Sequence, residues 1–105
     1  MIALSLAEIA EVVGGQTHDI PDPSALVTGP VVRDSREVEP GSLFVAFVGE
    51  RVDGHDYAAA VVEAGAAAVL ASRPVGVPAI VVADVQAALG ALARHVVREL
   101  GTTLV

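Results

Sequence analysis

Apolar positions along the chain follow two rhythms. Over residues 6–13, Leu6, Ile9, Ala10 and Val13 recur three and four apart, the spacing of one helix face. Ahead of them Ser5-Leu6-Ala7-Glu8 fits a capping box, with Ser5 as N-cap and Glu8 returning a hydrogen bond. Leu4 and Ile9 are spaced to form a hydrophobic staple, and Gly14-Gly15 supplies the left-handed conformation that ends such a helix. A second helix is predicted over 57–64, closed by Gly65. A third starts from Asp84 as cap, with Val85, Ala88, Leu89, Leu92, Val96 and Leu100 on one stripe and Gly101 at its end.

The other rhythm is the short unbroken apolar run, the signature of strands buried on both faces. Such runs predict strands over 27–33, 43–48, 66–71 and 79–83, with Leu43–Val48 central in its sheet. Glu39-Pro40-Gly41-Ser42 has the Pro-Gly centre of a type II turn, and the two prolines in 16–25 leave a loop with room for one short extended piece. Strands alternating with helices give an α/β fold, a mixed or mostly parallel sheet flanked by helices. In such sheets ligands sit beyond the carboxyl ends of the strands, and Leu43–Val48 leads straight into Gly49–Tyr57.

Composition narrows the partners. A chain of 105 residues sets a prior of one domain, and 53% apolar with only 3% aromatic residues implies a core of Ala, Val and Leu. The formal charge is −7 and the six basic residues are all arginines, so a nucleic acid or membrane surface would meet repulsion. A bound phosphate would have to be held locally, by Arg forks, backbone N–H groups or a helix N-terminus. Without cysteine there is no disulfide frame or thiolate metal site, and a reducing cytoplasm is allowed. The first 13 residues lack the basic start of a signal peptide, and no apolar run reaches the roughly 20 residues of a membrane span.

Two polar clusters flank the 43–48 run. Asp34-Ser35-Arg36 leaves a strand and enters a turn; it reads either as a local turn with Arg36 on a nearby carboxylate, or as a hydroxyl and a guanidinium offered to a ligand. Gly49–Asp56 joins a strand to a helix, and its glycines allow close backbone approach. Asp53 and Asp56 are explained as an acidic helix start, but Arg51 opposes the helix dipole and suits a diphosphate instead. Asp53, His55 and Asp56 lie too close in sequence to converge on a metal, and no second cluster supplies more ligands, so no metal is expected. No nucleophile elbow or triad is visible, and a chain without lysine holds no Gly-rich loop with Lys, so no catalytic residue is expected.

Asp34-Ser35-Arg36, Pro40-Gly41, Leu43-Phe44-Val45-Ala46, Gly49, Asp53-Gly54-His55-Asp56 and Gly65-Ala66 together resemble the N-terminal domain of the Mur ligases. Gly49-Glu50, Asp53–Asp56 and the helix ending in Gly14-Gly15 are most similar to the member that adds D-alanyl-D-alanine. The diamino-acid-adding member is the alternative, as is a non-catalytic interaction domain of the same fold. The resemblance implies that residues 1–101 form the UDP-binding domain and that 102–105 open a central ATPase domain. It also implies a cytoplasmic ligase of peptidoglycan synthesis, with UDP-N-acetylmuramoyl-tripeptide as partner and with ATP and Mg serving the whole enzyme but no cofactor in this part. Carried over by position, substrate contacts fall on Arg33, Ser35, Glu50, Arg51 and Val52; Arg36, Asp53 and His55, from the same polar flanks, complete the expected site. Such a domain would bind and not ligate.

Overall fold

A computed structural model describes residues 4–47 and 54–100. The first helix, α1, spans Leu6–Val13 and starts as its sequence dictates. Ser5 Oγ accepts from the Glu8 N–H at 3.1 Å while Glu8 Oε1 accepts from the Ser5 N–H at 3.1 Å. Leu4 and Ile9, the staple pair, are both buried in the same cluster, and Gly14 takes the left-handed conformation at φ 66°.

Before α1, β1 (Leu4–Ser5) pairs antiparallel with β3 (Leu26–Val27) in a small two-stranded sheet. The main sheet holds β2 (Gln16–His18), β4 (Val31–Val32), β5 (Leu43–Val45), β6 (Ala68–Ala71) and β7 (Ala79–Val81) in the order β2-β7-β6-β5-β4. Four of these strands run parallel, and β2 lies antiparallel on β7, so the sheet is mixed. The extended piece allowed for in 16–25 is thus the edge strand β2.

Two strand expectations change. The strand expected over 27–33 is split: Gly29 and Pro30 intervene between β3, which belongs to the small sheet, and β4, an edge of the large one. The cause is close packing on the 39–42 turn. The Gly29 N–H donates to Gly41 O at 3.0 Å, and a Cβ on Gly29 would stand 2.9 Å from Pro40 O. The turn itself forms as read, with the Ser42 N–H donating to Glu39 O at 3.0 Å and Gly41 at φ 83°. The run 43–48, expected at the sheet centre, is an interior strand that ends at Val45; the middle position belongs to β6.

Alternation along the strands separates two cores. Leu43, Val45, Ala68, Leu70, Ile80 and Val82 face α1 and α3 (Val85–Leu100), whose Val85, Ala88 and Leu92 are buried there, with Leu89 and Val96 packed alongside. Phe44, Ala46, Val69, Ala71 and Ala79 face α2 (Ala58–Glu63) through Ala58 and Val61. The second core is alanine-rich, which brings α2 close to the sheet. Asp84 Oδ1 accepts from the Ala87 N–H at 3.1 Å at the start of α3, and Gly65 ends the α2 segment at φ 115°. No described helix is long and apolar enough to cross a membrane.

Candidate functional site

The carboxyl ends of β4, β5 and β6 lie side by side, because these strands are parallel neighbours. From β4 the chain passes through Arg33 and Asp34 into a 3-10 turn, Ser35–Glu37. Asp34 caps that turn: its Oδ1 accepts from the Arg36 N–H at 2.9 Å and from Arg36 Nε at 3.1 Å, while Oδ2 accepts from Nη2 at 2.8 Å. The side-chain hydrogen bonds from Arg36, followed by its backbone N–H, hold the Asp34 carboxyl down at about 2, and the same pairing raises Arg36. The local reading of this triplet is what the structure shows: Arg36 pairs with Asp34, while its side chain is 87% exposed and presents the remaining edge of its guanidinium to solvent. The half-buried Ser35 makes no side-chain hydrogen bond among the described residues, and Arg33 is exposed beside it.

On the other side of β5, His55 sits in a 3-10 turn, Gly54–Tyr57, that runs into α2. It is not a surface residue. The ring is buried, and its Nε2 accepts from the Ser72 N–H at 3.0 Å, with Ser72 Oγ 3.2 Å away. A neutral ring that accepts at Nε2 carries its proton on Nδ1. The expected contacts Glu50, Arg51, Val52 and Asp53 lie outside the described residues. Among the predicted residues that are described, Arg33, Ser35 and Arg36 come together at the end of β4, whereas His55 is engaged at the end of β6.

Ser72 is the residue that sequence reasoning missed. It opens the polar stretch after a buried strand, and nothing local to it signals a histidine partner. Beyond it, Phe47, Ser72, Asp84 and Gln86 contribute to a crevice of about 310 Å³ over the carboxyl ends of β5, β6 and β7. No group of three or more His, Cys, Asp or Glu that could hold a metal ion occurs among the described residues.

Residues 31–97 match a family model described as Mur ligase family, catalytic domain. The UDP-N-acetylmuramoyl-tripeptide–D-alanyl-D-alanine ligase of Mycobacterium tuberculosis strain H37Rv is 59% identical over 90 residues, covering 83% of this chain and 18% of the relative. The UDP-N-acetylmuramoyl-L-alanyl-D-glutamate–2,6-diaminopimelate ligase of Geobacillus thermodenitrificans is 53% identical over 62 residues, covering 57% of this chain and 13% of the relative. A crystal structure of MurF from Acinetobacter baumannii superposes with a TM-score of 0.75 at 30% identity, over 88% of this chain and 20% of that one. The chain thus spans about a fifth or less of the length of the proteins it matches.

Proposed function

The chain belongs to the Mur ligase family, and from that membership we propose that it grips the UDP end of UDP-N-acetylmuramoyl-tripeptide within a ligase that adds D-alanyl-D-alanine. The observation that carries this reading is the pairing of an open hydroxyl, Ser35, with Arg33 and Arg36 at the carboxyl end of β4, beside the end of β5. Uracil and ribose need donors and acceptors at fixed positions; a Ser hydroxyl and the Arg33 backbone supply them. A diphosphate needs local positive charge, which Arg36 offers with an orientation set by Asp34.

The physical task asks for binding and not for a catalytic group. A substrate whose reacting carboxyl lies far from its nucleotide gains orientation when a separate unit grips the inert end. ATP and Mg, in this reading, serve the reacting carboxyl in the remainder of the ligase, and no step of that chemistry is assigned to the described residues. The similarity to the D-alanyl-D-alanine ligase covers 90 residues against 62 for the diaminopimelate ligase, which favours the former as the parent type.

Calorimetric titration with UDP tests the reading. Binding is expected, and Ser35→Ala should weaken it by about 0.5–1.5 kcal/mol, the net contribution of one hydrogen bond. Failure to bind both UDP and UDP-N-acetylmuramoyl-tripeptide would instead support a non-catalytic interaction domain.

A further inference from the structure

Strand β6 offers its backbone alternately to its two neighbours. The Val69 N–H donates to Pro78 O and Ala71 O accepts from the Val82 N–H, both on the β7 side. Leu70 O accepts from the Ala46 N–H, on the β5 side. By the period of two, the next group facing β5 is the Ser72 N–H. Were β5 to continue, a backbone carbonyl would receive it. Instead β5 ends at Val45, and the imidazole of His55 occupies the acceptor position at 3.0 Å.

We infer that His55 is a positioning residue of the proposed nucleotide site: its ring completes the β5–β6 ladder beyond the end of β5, and so ties the start of the α2 segment to the carboxyl end of β6. Ala46 is held by Leu70 O and His55 by the N–H of Ser72, the residue just past the end of β6. The residue type follows from the task. Ser72 is itself exposed, but its N–H is aimed at the buried ring, where an apolar side chain would offer no acceptor and a carboxylate would bury a charge. A neutral imidazole accepts through a rigid ring and introduces no charge. In this assignment His55 acts on ligand binding by holding the start of the α2 segment against the carboxyl end of β6, next to the ends of β5 and β4, and does not touch the nucleotide; the inference rests on the UDP reading for its functional consequence alone.

The experiment combines heteronuclear NMR with UDP titration on the 105-residue chain. In the wild type, a through-hydrogen-bond coupling between the Ser72 amide nitrogen and His55 Nε2 is expected, with the ring proton on Nδ1. His55→Leu should accelerate Ser72 amide exchange and weaken UDP binding, each about tenfold, whereas His55→Gln, which returns an acceptor at similar reach, should recover most of both losses. A ring proton found on Nε2 would overturn the assignment. So would a His55→Leu chain whose Ser72 amide opens while UDP affinity stands unchanged. Equal loss of UDP affinity in both variants with Ser72 still protected would make the ring a direct ligand contact, again against the inference. If His55→Leu fails to fold, the wild-type coupling and tautomer decide alone. If the wild type binds no UDP, the functional reading fails, and the coupling and amide exchange still judge the anchor.

Discussion

Asp34 and Arg36 are two residues apart and exchange a forked ion pair, which fixes a side chain that would otherwise sweep a wide volume. Because the Asp34 carboxyl titrates at about 2 when folded and ordinarily at 3.8, the pairing contributes fully above the higher value and is lost as pH falls through the lower one. The side-chain carboxyl carbon of Asp34, followed by NMR, should therefore titrate near 2 in the wild type and return toward 3.8 in Arg36→Ala. An unchanged midpoint in the variant would mean that the fork does not persist in solution. The pair is solvent-facing, so its role is geometric: it sets the direction of Arg36 more than it stabilises the fold.

At the scale of elements, local grammar was readable and long-range pairing was not. The Ser5–Glu8 box, the Gly14 terminator, the Glu39–Ser42 turn and the Asp84 cap each depend on residues within four positions, and each forms as their chemistry requires. Ser5→Ala should accordingly destabilise the chain by about 1 kcal/mol in chemical denaturation, since it strips the acceptor from the first turn of α1. A variant with the wild-type midpoint would show that tertiary packing alone holds the helix start. By contrast, β2 is defined by partners more than sixty positions away, with Gln16 opposite Val81, and the split between β3 and β4 arises from Gly29 pressed against the 39–42 turn. Neither contact leaves a local signature. The same limit applies to the site: Ser35 and Arg36 could be marked from their polar setting, but the inward turn of His55 depends on Ser72, seventeen residues on.

For the whole molecule, a charge of −7 sets the far field against an anionic ligand. Recognition of a nucleoside diphosphate would then depend on short-range forks and backbone groups, which salt screens little, while the opposing long-range repulsion is screened strongly. UDP affinity should hold constant or rise as ionic strength goes from low to physiological. A steep fall, read by titration at several salt concentrations, would mean that a basic field governs the site and would count against local recognition.

The borders of the main sheet carry a consequence for the molecule's behaviour at high concentration. The outer ribbons, β2 and β4, are three and two residues long, and each of the three strands between them is paired on both sides. An intruding peptide in search of a template finds too few rungs at either border to hold on. Fibre seeding would first have to prise open the interior, which ties shelf life to global unfolding and not to fraying at the rim.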